Sequence, residues 1–293
     1  MQMAKTVRGV VAAVCATALV STPLLLTQAG ADATTAPAAS RAAPMPHITA
    51  TLTKKTIRLK GADNIRPGRV KLSVRGKSVV ELARFKRGYD LADFTRDVNK
   101  FGAKNDVKAL KRALANTEIF GGFTGGGSGT IVLPKAGSYT PFALGPRGVV
   151  AGEPLVVRGA KRASKTPKVD GRIIAKPGPA WGGASELPKK GRFLFKNRHS
   201  TGEPHFVILQ QVAEGTTTDQ VMQFLQTDDG SSPPPSWVLS GGMETGTLSP
   251  GRSLTADYDL PAGQYVVMCF FPDPEMGGMP HALMGMLKMI HLT

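Results

Sequence analysis

The chain has 293 residues with 37 Lys and Arg against 21 Asp and Glu, a formal net charge of +16, and two cysteines. So few cysteines exclude a disulfide scaffold. A charge this positive invites nucleic acid, but no stretch reads as a recognition helix or an aromatic-studded RNA-binding sheet, so nucleic acid is set aside as a partner. For an exported protein the charge suits anionic cell-envelope polymers, lipid headgroups or an acidic protein.

Residues 1–31 read as a secretory signal peptide. Lys5 and Arg8 precede an apolar run ending at Leu26, and Ala29-Gly30-Ala31 offers a cleavage site. The mature protein is therefore expected to be secreted or held in the cell envelope, with no transmembrane helix. Cys15 lies within that segment, which leaves Cys269 as the single thiol of the mature chain. A lone thiol in an oxidising compartment is a buried small hydrophobe, an intermolecular disulfide partner or a metal ligand. Residues 32–46, rich in Ala, Thr and Pro, read as a flexible linker.

The remaining residues alternate in short strand patterns between turn signals, with helical patterns expected at 90–98, 106–116 and 217–226. The pattern occurs twice. RPGRVKLSVRG (66–76) resembles LPKKGRFLFKN (187–197), and ELARFKRGYDLADFTRDV (81–98) resembles ILQQVAEGTTTDQVMQFL (208–225). Further on, each copy has a Leu-Pro turn, a glycine and then, after one intervening residue, Tyr139 or Tyr265. The expected fold is all-β, two tandem Greek-key β-sandwiches with short inserted helices. The first spans 47–158 and the second 168–293, with the boundary placed within the basic, apolar-poor segment 159–171. The first part is strongly basic, 21 Lys and Arg against 8 acids over 47–158, and the last acidic, 2 against 10 over 203–293.

The repeat serves as an internal control. Matching Gly88 with Gly215 sets Ser78 opposite His205, and matching Tyr139 with Tyr265 sets Ala143 opposite Cys269. The first copy thus lacks both candidate ligands. Equating Gly152 with Gly285 makes the second copy seven residues longer, and the extra residues fall within CFFPDPEMGGMPHALMGM (269–286). GGFTGGGSG (121–129) lacks the Lys-Ser/Thr and helix of a phosphate loop and reads as a hairpin or flexible loop. His199 and His291 are expected at the surface, and Met289 on an apolar stripe of the last strand.

The second copy resembles the cupredoxins, the blue-copper sandwich proteins. The residues that carry the likeness are Asn197, Pro204 and His205 in FKNRHSTGEPHF, Cys269 at the end of GQYVVMC, and His281 and Met286 in HALMGM. The resemblance implies a mononuclear type 1 copper site of His205, Cys269, His281 and axial Met286, with a degenerate, ligand-free first copy. Such a set suits both oxidation states of copper, because imidazole serves Cu(II) and the sulfur ligands serve Cu(I). The implied role is electron transfer with a redox or copper-transfer protein as partner, and a backbone amide, of Asn197 or Phe206, bonded to the thiolate. One departure from the family is the C-x11-H spacing, which leaves Met276, Met279 and Met284 as rivals for the axial position. Rival functions are Cu(I) buffering or delivery through the Met-rich loop, and a metal-free cell-envelope binding module. A multicopper oxidase would need His-x-His pairs, and the five histidines form none, so no enzyme activity is expected.

Overall fold

The computed structural model describes residues 44–145, 148–199, 203–228 and 233–293. The signal-peptide segment and all of the linker except residues 44–46 lie outside the described residues. The first half contributes β1 (His47–Leu52), β2 (Ile57–Lys60), β3 (Gly68–Arg75), β4 (Val80–Phe85), α1 (Leu91–Lys104), α2 (Val107–Asn116), β5 (Thr117–Phe123), β6 (Ser128–Leu133), β7 (Gly137–Gly145), β8 (Gly148–Ala151) and β9 (Leu155–Val157). The second contributes β10 (Gly171–Ala175), β11 (Trp181–Gly183), β12 (Glu186–Leu187), β13 (Lys190–Asn197), β14 (Ile208–Val212), α3 (Thr218–Thr227), β15 (Val238–Glu244), β16 (Ser253–Asp259), β17 (Gly263–Met268), β18 (Pro272–Asp273), β19 (Met279–Pro280) and β20 (Leu287–Leu292). The all-β sandwich architecture is as expected. No helix among the described residues is long and apolar enough to cross a membrane.

The helices begin where their capping chemistry sits. Asp90 and Thr217 each close a capping box, and the Asp106 side chain accepts the Ala109 N–H. The first helix runs six residues past its expected end at 98, through Gly102 to the left-handed cap Asn105.

The two halves share a topology. In each, a first strand lies parallel to a later strand of the same sheet, β1 with β3 and β10 with β13, while the central strand of the second sheet, β4 or β14, is flanked by two antiparallel neighbours. Both turn tyrosines bond back four residues, Tyr139 to the Lys135 carbonyl at 2.7 Å and Tyr265 to that of Pro261 at 2.8 Å. The glycine two residues before each has matching φ, 135° at Gly137 and 131° at Gly263, a conformation side chains resist.

The sandwiches are not independent. Strand β6 pairs antiparallel with β16, so one layer of each half merges into a single sheet of order β11-β10-β13-β16-β6-β3-β1-β2. At this join Gly129 is required, because a Cβ there would stand 1.9 Å from the Thr255 carbonyl oxygen. The other layers stay separate, as β5-β4-β7-β8 and β12-β20-β17-β14-β15. The Gly-rich stretch 121–129 therefore carries the chain from one sheet to the other instead of closing a hairpin within one.

Period-two alternation splits each five-stranded sheet between two apolar layers. On β17 and the residue after it, Tyr265, Val267 and Cys269 enter the core between the sheets, while Val266 and Met268 turn to the layer beneath α3 with Val221. In the first half, Phe142 and Ala83 meet Phe94 and Ala113 of the helices in the same way. The Cys269 thiol is thereby carried into the middle of the sandwich.

The ladders test the repeat alignment. Glu81 pairs with Phe142 where Ile208 pairs with Met268, so Ser78 corresponds to His205 and Ala143 to Cys269, as the sequence predicts. The length of the insertion is different. Phe142 pairs with Ala151, nine residues on, but Met268 pairs with Leu287, nineteen residues on, so the second copy is longer by ten residues and not seven. Gly152 and Gly285 are not equivalent, because the last strand is broken into β8 and β9 in the first half and continuous in the second.

Candidate metal centre

Three of the four residues expected to ligate meet at one end of the second sandwich. The Cys269 Sγ lies 3.6 Å from His205 Nδ1 and 3.6 Å from His281 Nδ1. The two rings are 4.5 Å apart at 44°, and all three side chains are fully buried. Met286, the fourth, is fully buried in the core cluster that holds Cys269. Its rivals Met276 and Met279 are 51% and 41% exposed, and Met284 is half-buried.

Each ligand is set by its local backbone. His205 exchanges two backbone bonds with Leu248, at 3.1 and 2.7 Å. Both strands of that bridge are stapled by buried Asn197, whose Nδ2 donates to the Glu203 and Leu248 carbonyls at 2.9 Å each while its Oδ1 accepts the His199 N–H at 2.8 Å. The asparagine thus acts through the loops, and the thiol sulfur takes its backbone N–H bonds from Phe206, one of the two expected, and from Phe271. His281 opens a 3₁₀ turn, His281–Met284, whose carbonyl accepts the Met286 N–H at 3.0 Å. Ala282 N–H donates to the Cys269 carbonyl at 2.7 Å, which ties the two ligand segments directly together. Trp181 donates its indole N–H to the Met286 carbonyl at 3.0 Å and lies 6.5 Å from the His205 ring.

The insertion between Cys269 and His281 forms a small hairpin of β18 and β19 that lies against the helices of the first half. Asn105 Nδ2 donates to the Gly277 carbonyl at 3.1 Å, and Lys111 pairs with Glu275 at 2.9 Å. Gly278, at φ 85°, sits so close that a Cβ would be 2.8 Å from both Asn105 Oδ1 and the Phe101 ring. The first half therefore contacts the loop that carries His281.

Burial dominates the electrostatics. It pushes the Cys269 thiol up to about 12, against the two backbone N–H bonds, and it drops His205 to about 2 and His281 to about 4, the neighbouring His199 acting in the same direction on both. At neutral pH both imidazoles are therefore uncharged, with Nδ1 facing the sulfur. Their Nε2 atoms are buried without a hydrogen-bond partner.

Behind the imidazoles stands a second layer that the sequence reading passed over. His199, expected at the surface, is buried, 6% exposed, because Asn197 turns the chain inward there. Its Nε2 is 3.2 Å from Glu203 Oε2, and the same oxygen is 3.6 Å from His281 Nε2. Buried Asp273 also faces His281 and Glu203. The signal was present in NRHSTGEPH, where His199 and Glu203 precede His205 by six and two residues. His291 is at the surface as expected, paired with Glu214 at 3.1 Å.

The geometry fits a metal ion. Bonds of about 2.0–2.1 Å to imidazole and about 2.3 Å to thiolate, the lengths zinc takes, span 3.6 Å at an angle of about 112°, between trigonal and tetrahedral. The two short nitrogen–sulfur separations are equal, so one ion can bridge both at the same angle. The donor set fits copper. A thiolate with two imidazoles in a dry pocket serves both of its oxidation states. Among the described residues, the groups able to gather such ligands all lie in this half. At the matching place in the first half, Ser78 and Ala143 line an open surface cleft.

No protein-family model matches the chain, and no curated protein sequence matches it. Among solved structures it is similar to auracyanin B, at 22% identity over 45% of this chain and 93% of that one, TM-score 0.27. It is similar also to the auracyanin of the photosynthetic bacterium Roseiflexus castenholzii, at 20% over 42% and 94%, TM-score 0.27. A copper nitrite reductase from Nitrosomonas europaea aligns at 12% over 85% and 94%, TM-score 0.24. Scores this low add nothing to what the donor geometry says by itself.

Proposed function

We propose that this chain is an exported, single-copper electron carrier in which His205, Cys269 and His281 would hold the ion, with Met286 as a fourth, weak donor. The observation that carries the reading is the buried thiol with an imidazole Nδ1 3.6 Å away on each of two sides. When bound, copper supplies a one-electron couple at a thiolate. The chain's part is to keep the donors fixed in either state: His205 through the Leu248 bridge, His281 through its bond to the Phe271 carbonyl, and the sulfur through two N–H donors. Burial of all three excludes water, so little solvent must reorganise when the charge changes. No catalytic role is assigned, since five histidines without a His-x-His pair cannot build an additional copper cluster of the oxidase kind.

Residues 47–158 form the degenerate, ligand-free copy and 168–293 the copper-holding one. Export follows from the signal-like residues 1–31, and the basic first half suits an anionic envelope polymer, while a redox or copper-transfer protein is the partner of the site. A second reading, Cu(I) buffering or delivery, draws on the exposure of Met276 and Met279 at the tip of the hairpin that leads to His281. Metal analysis with a visible spectrum separates the two. An intense blue Cu(II)-thiolate band, reversibly bleached and lost in His205→Ala, is the expected result; a copper-loaded protein that stays colourless under oxidising conditions favours delivery, and one that takes up no copper overturns both.

A further inference from the structure

We infer that Glu203 is the outer carboxylate of the copper site proposed above, the group that fixes His281 in its ligating tautomer and biases the ion toward its oxidised state. An imidazole that offers Nδ1 to a metal carries its proton on Nε2, and a buried N–H needs an acceptor. His281 Nε2 is buried with no bond, and Glu203 Oε2 faces it at 3.6 Å, a few tenths beyond hydrogen-bond reach. Metal-ligating histidines commonly bond a carboxylate in this way.

The carboxylate is itself held. Its backbone carbonyl accepts from Asn197 at 2.9 Å, and the same Oε2 lies 3.2 Å from His199 Nε2. Asp273, the other acid facing His281, is already engaged, its Oδ1 accepting the Glu275 and Met276 N–H groups at 2.6 and 3.2 Å. An acceptor oxygen set against the His281 ring N–H makes that imidazole a stronger donor, which favours the more positive Cu(II) form and lowers the reduction potential. Glu203 touches neither sulfur nor metal and is a positioning residue.

The test compares wild type with Glu203→Gln and Glu203→Asp. In the apoprotein, nitrogen NMR of the His281 ring is expected to find the Nε2–H tautomer in wild type and in Glu203→Gln, which keeps an acceptor, and a loss of that preference in Glu203→Asp, which withdraws it by one methylene. In the copper-loaded protein, Glu203→Gln is expected to weaken Cu(II) relative to Cu(I) about tenfold, a rise in potential of about 59 mV for a one-electron couple. A potential unmoved by Gln, together with a tautomer unmoved by Asp, overturns the assignment. So does a wild type that binds two ions and a Gln variant that loses one, since Glu203 would then be a direct ligand of a separate site with His199. A wild type that takes no copper defeats the copper reading alone, because the tautomer measurement needs no metal.

Discussion

Copper binding should compete with a single proton across the neutral range. Metal uptake must displace whatever protons the donors hold. With His205 lowered to about 2 and His281 to about 4, chiefly by burial, neither imidazole holds one above pH 5, whereas the thiol, raised to about 12, is protonated throughout. Each pH unit between 5 and 8 should therefore strengthen copper binding about tenfold, about 1.4 kcal/mol, giving about a thousandfold over the interval. Were the imidazoles exposed, with ordinary values near 6.5, each would lose a further one and a half units of competition by pH 5. The same interval would then span roughly a millionfold. Titration of the apoprotein against a Cu(I) chelator, corrected for the chelator's own protonation, reads the slope directly. A slope near three below pH 6 would refute the buried neutral pair, and a slope of zero would refute the thiol as a ligand.

Buried Glu81, raised to about 7 by desolvation against the N–H bond it accepts from Thr247, holds its proton more tightly folded than unfolded. Its contribution to stability is full below about 4.5 and is lost as pH rises through 7, so urea midpoints should fall between pH 5 and 8, and Glu81→Gln should remove on the order of 3 kcal/mol of that dependence. Glu244, raised to about 8 by burial and by the charge of Glu81, extends the decline on the alkaline side. Asn197→Ala removes three hydrogen bonds, those to the Glu203 and Leu248 carbonyls and the one from the His199 N–H; about 3 kcal/mol of stability should go, seen in urea unfolding, together with copper affinity. Gly278→Ala meets both a left-handed φ of 85° and the Phe101 ring, so it should cost about 1–2 kcal/mol and speed chelator-driven copper release if the first half braces the loop.

The candidate ligand cluster was legible because the resemblance to the cupredoxins names its four members, and short-range rules place two of them. Alternation along GQYVVMC puts Cys269 on the inward face with Tyr265 and Val267, and the repeat fixes His205 against Ser78 through glycine turns that both copies keep. The merger of the two sandwiches was not legible. Alternation says which face of β6 and β16 is buried, not which strand lies beside them, and the pairing depends on Gly129 letting the backbones approach. The insertion was miscounted because Gly152 and Gly285 look alike in sequence, whereas the broken β8 and β9 shift the register of the final strand. Helix α1 outran its expected end at 98, and the added turns present Phe101 and the cap Asn105 to the inserted hairpin. His199 was expected at the surface, and Glu203 was not singled out, for a related reason: their surroundings are set by Asn197 and by the loop of Asp273, seventy residues beyond Glu203.

The central claim is that one copper ion joins Cys269 to His205 and His281, and X-ray absorption at the copper edge tests it most directly. The protein loaded with one equivalent should show one short sulfur and two nitrogen scatterers, with the short sulfur absent in Cys269→Ser. A wild-type spectrum without the short sulfur, or unchanged by that substitution, would contradict it.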